Sequence, residues 1–200
     1  AGANGKSVLM RILAEIAGPG NISAVSPDRF GDKAQCAYLM GKLINLVTEL
    51  AKGSQMVDDK LKAITSGELI TADHKYGHPF NFIPFCTCVF ATNHMPYTRD
   101  FSDALMRRAI ILNFNRVFKP EEQDKHLFKK LKEELPGILN LALEGLARLF
   151  KQGDFTLVAE VEEAKKEWQH ENDQMSQFVE EACQIRPDHR ITSASLYEAY

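Results

Sequence analysis

Cysteine is scarce in this chain. Cys36, Cys86, Cys88 and Cys183 are the only four thiols in 200 residues, too few and too scattered for a disulfide scaffold, so they point to a reducing compartment, the cytoplasm. An excess of charge is equally absent. With 24 Lys and Arg against 27 Asp and Glu, the net charge is −3, so nothing diffuse draws the chain to nucleic acid or to an anionic membrane, and any DNA contact has to be local. Glycine and proline, at 12 and 8, are too few for a collagenous or disordered polymer. Residues 79–98 lack Asp, Glu, Lys and Arg and are long enough to span a bilayer. They also contain Pro79, Asn81, Pro84, Asn93 and Pro96, which would leave polar groups unpaired in lipid, so the run is read as strands and no membrane partner is expected. The first apolar stretch is broken by Arg11 and Glu15 and no Met precedes it, so it reads as neither a signal peptide nor a native start, and a piece of a longer protein is expected.

What is present is ordinary globular composition, 44% hydrophobic and 26% charged, with length for one sizeable core plus an appendage. Val8, Leu9, Ile12, Leu13 and Ile16 are spaced as one helix over 6–16, stopped by Gly18-Pro19-Gly20. Ser26-Pro27-Asp28 signals a helix start, and the run 43–47 is a buried strand ending at Thr48-Glu49. A helix is predicted over 58–64, then two strands, 69–73 and 79–83, joined across His74-Lys75-Tyr76-Gly77-His78 as a hairpin. Residues 86–91 form another strand delivering Thr92-Asn93. A short helix follows over 102–108, a third core strand over 109–114, and helices over 120–134, 136–151 and 159–183, with one more begun at 192–200.

Three strings carry chemistry. Ala1-Gly2-Ala3-Asn4-Gly5-Lys6-Ser7 is the phosphate-cradling pattern G-x-x-x-x-G-K-[ST] without its first glycine. Small residues let backbone N–H groups converge on phosphate oxygens, the lysine meets the β- and γ-phosphates, the hydroxyl meets Mg²⁺, and a helix N-terminus stands behind. Glu49 at the tip of an apolar strand is placed as the carboxylate that polarises an attacking water. Many such sites have an Asp just before that acid; here the residue is Thr48, which leaves the metal to Ser7 and Glu49. Asn93 ends the next strand as a neutral amide able to orient that water, although an Asn ahead of Pro96 is also ordinary turn chemistry. Of the adjacent Arg107 and Arg108, one faces away from whatever the other touches; a guanidinium offered to a neighbour's γ-phosphate would be an arginine finger. Cys86 and Cys88 share a strand face, but no second Cys or His pair matches their spacing, so they are read as buried thiols rather than a metal half-site.

The strings AGANGKS, LINLVTEL, TSGELITADHKYGHPFNFIP, VFATN and SDALMRRAIILNF, in this order, closely resemble the superfamily three helicase domain of phage and plasmid primase-helicases. The resemblance runs on through PGILNLALEGLARLF and the helix with Trp168 and Asp173. It implies an α/β fold, a three-layer αβα P-loop core of the AAA+ type over residues 1–155, without its first strand here, and a helical extension over 156–200 that begins a further domain. It also implies ATP and Mg²⁺ as cofactors, a homo-oligomeric ring expected to be hexameric, a primase domain in the same polypeptide, and action on single-stranded or forked DNA in a bacterial host. Residue by residue, Gly2, Asn4, Gly5, Lys6 and Ser7 correspond to the nucleotide and Mg²⁺ contacts, Glu49 to the Walker B acid and Asn93 to sensor 1. Arg108 corresponds to the finger, with Arg107 second, and Lys75, flanked by His74, Tyr76 and His78, to the DNA-gripping hairpin. Two other readings stay open: an inactive fragment serving as a DNA-binding or oligomerisation module, and a P-loop kinase.

Overall fold

The computed structural model describes residues 3–100, 102–156 and 158–200. Its first helix, α1 (Lys6–Ala17), forms where the apolar spacing predicts and buries Met10 and Ile12. Gly18, at φ 78°, ends it with its N–H on the Ala14 carbonyl. A short strand, β1 (Ile22–Ser23), follows, then a single 3-10 turn at Pro27–Arg29 and the four-residue helix α2 (Lys33–Cys36), capped by the Asp32 carboxylate. Strand β2 (Ile44–Val47) comes next, then helix α3 (Asp58–Thr65) and the strands β3 (Ile70–Ala72), β4 (Phe80–Phe82) and β5 (Thr87–Phe90).

Strands β1, β2 and β5 form one small parallel sheet in that order, with Asn45 opposite Cys88 and Val47 opposite Phe90. β3 and β4 pair antiparallel as the predicted hairpin. The middle strand β2 is buried at Asn45, Leu46 and Val47, as expected of a parallel strand covered on both faces. Both polar atoms of its one polar side chain find partners. The Asn45 Oδ1 accepts from Ser23 Oγ at 3.0 Å and from the Val25 N–H at 2.8 Å, and its Nδ2 donates to the Val25 carbonyl at 2.8 Å, so the amide stitches the chain after β1 to the sheet.

The rest of the chain is helical: α4 (Asp103–Met106), α5 (Leu127–Glu133), α6 (Leu135–Gln152), α7 (Ala159–Asn172), α8 (Gln174–Ala182) and α9 (Ser193–Ala199). The architecture is mixed α/β, a small parallel sheet among many helices. α1 packs on β2 and against α5 and α6. The Arg11 guanidinium lies 3.4 Å over the Phe128 ring, and Lys132 pairs with Glu15 at 2.9 Å. The main apolar cluster joins Val25, Phe30, Leu39, Met56, Leu61, Ile64 and Leu105 to Trp168 of α7, so α7 shares the core of the sheet region. Among the described residues no helix is long and apolar enough to cross a membrane.

Three sequence expectations are corrected. Residues 109–114 form no strand. They pair with neither sheet, β5 stays the edge of its own, and Leu112 is left 63% exposed; an apolar alternation becomes a strand only beside a partner. The helix predicted over 120–134 is a 3-10 turn, Pro120–Glu122, followed by α5. The Asp124 carboxylate accepts the His126 N–H at 2.8 Å and holds Lys130, a local alternative to helix. The helix predicted over 159–183 breaks at Asp173, whose side chain caps α8 by accepting from the Ser176 N–H at 2.9 Å.

Candidate functional site

The site assembles at the carboxyl end of the parallel sheet. Ala3 and Gly5 lie in the left-handed region, at φ 59° and 87°. Left-handed residues in such a loop are the means by which backbone N–H groups come to share one side and receive an anion. The helix behind it, α1, has no side-chain cap at its N-terminus and no acidic residue in its first turn, so its orphan N–H groups and dipole face the loop unneutralised. Gly2, the remaining loop position named from sequence, lies outside the described residues.

Lys6 reaches from α1 across to the next segment, where its Nζ donates to the Thr92 carbonyl at 2.6 Å and to Asn93 Oδ1 at 2.7 Å. Two strings far apart in sequence therefore meet at one ammonium. The turn that carries Glu49 lies against the same segment. The Ala91 N–H donates to the Val47 carbonyl at 2.8 Å and the Leu50 N–H to the Ala91 carbonyl at 3.1 Å, which ties the exposed turn bearing Glu49 to the end of β5 that bears Asn93. Ser7 is exposed in the first turn of α1. Asn4 takes a different part. Its Nδ2 donates to the Phe114 carbonyl at 3.1 Å, and the Phe118 N–H donates to the Ala3 carbonyl at 2.9 Å, so the run after residue 109 is laced to the loop.

The two arginines separate. Arg108 Nη2 donates to Ser66 Oγ at 2.6 Å and its Nη1 to the Ala104 carbonyl. It thereby joins the last turn of α4 to the end of α3, a helix-terminus contact that suits a cation. Arg107 is exposed, and its guanidinium has no partner among the described residues.

At the hairpin tip the Gly77 N–H closes a turn on the His74 carbonyl at 2.7 Å, with Tyr76 at φ 66°. A bulky L-residue in that region costs about 1 kcal/mol, and here the cost is borne by a side chain that is 96% exposed. Lys75 Nζ lies 5.2 Å from the Tyr76 ring, so a cation and an aromatic face project together. His74 instead stacks on Phe80 with centroids 4.9 Å apart and serves the hairpin itself. His78 is exposed beside the tip.

Sequence reasoning missed the network behind the loop that leaves Asn93. Asp58 of α3 accepts from Thr98 Oγ1 at 2.9 Å and from the Arg99 N–H at 3.0 Å, and Lys62 meets Asp100 at 2.5 Å. No spacing signal marks these residues, because their partners lie on different elements. Lys62, then Ser102, holds the Asp100 carboxyl down at about 2. Since this lies below the ordinary carboxylate value, the stabilisation is whole above about pH 4 and is lost as pH falls toward about 2. The stability difference between the wild type and Lys62→Met, read from urea midpoints across pH, should be widest above about pH 4 and shrink toward about pH 2. A constant difference would mean that Asp100 contributes nothing.

The thiol of Cys88 is pushed up by its hydrogen bond with Cys86 and by burial. Among the described residues no group of three or more His, Cys, Asp or Glu side chains is placed to hold a metal ion. Residues 1–108 match the model of a family described as a family of unknown function (DUF5906), a stretch that runs from the phosphate-loop string through Arg108.

Proposed function

The chain belongs to that family of unknown function, and from its own residues we propose that it is the ATP-hydrolysing motor of a DNA helicase of the superfamily three type, working as a ring of like subunits on single-stranded or forked DNA. The observation that carries this reading is the meeting of Lys6 with Thr92 and Asn93 beside the Glu49 turn. Ligands of open α/β sheets bind outside the carboxyl ends of the strands, and here a cation meets an amide there, in front of an uncapped helix and next to the turn that carries a carboxylate. An αβα P-loop core belongs to the same proposal, with the run laced to Ala3 and Asn4 as its outer segment.

The residues fit the cofactors. The loop at Asn4 and Gly5 would cradle the phosphates of ATP with Lys6 on the β- and γ-oxygens. Mg²⁺ keeps several waters and needs few protein ligands beyond phosphate, so Ser7 suffices as its direct protein ligand, with Glu49 facing the water shell of the ion. When bound, Mg²⁺-ATP supplies the scissile phosphoryl group. Glu49 accepts the proton of the attacking water and Asn93 orients that water. Arg107, exposed, takes the finger role that the resemblance gave first to Arg108 and reaches a neighbouring subunit, because the Arg108 guanidinium is engaged by Ser66 and Ala104 and holds the backbone that presents Arg107. Lys75 meets a DNA phosphate, Tyr76 stacks on a base, and His78 lies alongside. Strain at Tyr76 is accepted for that exposure.

The test is ATP turnover with and without single-stranded DNA. Lys75→Ala should abolish DNA stimulation and unwinding while basal turnover persists, and the salt slope of single-strand binding should fall by about 0.7 for each phosphate that a subunit no longer neutralises. Tyr76→Gly should weaken binding yet leave the fold as stable as before or more so by up to about 1 kcal/mol, since glycine relieves the left-handed strain. Normal unwinding of a forked duplex by Lys75→Ala would reduce the hairpin to an exposed turn. Turnover indifferent to DNA in the wild type would favour a kinase, and no turnover at all an inactive module.

A further inference from the structure

Successive polar groups of the loop after Asn93 are tied to two helices that flank it. On one side the Tyr97 N–H donates to the Ser54 carbonyl at 2.8 Å, the Met56 N–H donates to the Tyr97 carbonyl at 2.8 Å, and Thr98 and Arg99 are held by Asp58 of α3. On the other side stands α7. Its Trp168 Nε1 donates to the Pro96 carbonyl at 2.9 Å, and its Asn172 Oδ1 accepts the Thr98 N–H at 3.1 Å. Asn172 Nδ2 donates back to the Trp168 backbone carbonyl at 2.8 Å, which fixes the Asn172 side chain one helical turn from the indole, so that the two grip the loop together as a clamp. The clamp is dry: Trp168 is 4% exposed and Thr98 1%.

We infer that α7 is a positioning element of the nucleotide site, with Trp168 and Asn172 fixing residues 96–98 and through them the Asn93 amide against the Lys6 ammonium. This rests on the reading that Lys6 and Asn93 handle ATP. Pro96 is three residues from Asn93, and further along the chain Arg107 stands at the end of α4. Buried hydrogen bonds to a loop backbone are costly to break, so the loop moves only if α7 moves or the clamp opens. Binding that shifts Asn93 is therefore felt at Trp168, and a loosened clamp misplaces Asn93. Trp168 and Asn172 touch no reacting atom. They act through the loop.

Trp168 is the single tryptophan of the chain, so its emission reports the clamp directly. The intact protein is titrated with ADP and with a non-hydrolysable ATP analogue, following tryptophan emission and calorimetric heat in parallel. Then kcat and KM for ATP are measured for Trp168→Phe and Asn172→Ala. Trp168→Phe keeps a buried ring and deletes the N–H donor; should Asn172→Ala fail to fold by circular dichroism, Trp168→Phe alone decides. A saturable emission change with the calorimetric Kd is expected, absent in Asn93→Ala at nucleotide concentrations that saturate it by heat. In Trp168→Phe, kcat should fall about 10- to 100-fold, the range that a misplacement near 1 Å produces, with KM within about twofold. A tryptophan that merely packs would give wild-type kcat in Trp168→Phe or an emission blind to bound nucleotide, and either result overturns the inference while leaving the ATP reading intact. Absence of calorimetric binding removes both.

Discussion

Glu49→Gln is expected to bind ATP as the wild type does while lowering kcat by at least about 10², because an amide of the same shape cannot accept the proton of the attacking water. The geometry makes this variant clean. Glu49 is exposed just beyond β2, and its turn is fixed by backbone bonds from Ala91 and Leu50 that the substitution does not touch, so the fold should melt unchanged. KM and kcat by a coupled assay, with calorimetric Kd alongside, separate the outcomes. Wild-type kcat would move the base to another residue. A large loss of binding with kcat retained would instead make Glu49 a metal or nucleotide contact, which Thr48 in the preceding position makes worth checking through Mg²⁺ dependence.

Mixing inactive protomers should restore activity. If Arg107 stabilises the γ-phosphate held by an adjacent subunit, then Arg107→Ala and Lys6→Ala are each nearly inactive alone, since a finger supplied in trans is worth on the order of 10³ or more in rate. Mixed interfaces that pair an intact pocket with an intact finger recover turnover. Arg108→Ala should behave differently: its guanidinium ties Ser66 to the end of α4, so the expected effect is a lower melting temperature, with any lost turnover not rescued by mixing. Complementation by Arg108→Ala and none by Arg107→Ala would exchange the two roles. Arg107→Ala that turns over ATP alone, linearly in protein concentration, would make its guanidinium a surface charge and nothing more.

The sequence by itself determined the elements whose cause is local. Apolar spacing in 6–16 placed α1, the short apolar runs placed β2 and β5, and five turn-forming residues between β-rich segments placed the hairpin, because helical periodicity, strand alternation and turn chemistry act over a few residues. The residue types at the tips of those elements, Lys6, Glu49, Asn93 and Lys75, were legible for the same reason. Tertiary structure alone decided what depends on partners distant in the chain. Residues 109–114 have a strand's composition and no ladder to join. Arg107 and Arg108 are alike in sequence until Ser66 and Ala104 claim one of them. Trp168 and Asn172 read as an ordinary stretch of helix until Pro96 and Thr98 come to lie against them. A buried hydrogen bond is specified by two positions at once, and nothing in either stretch alone names the other.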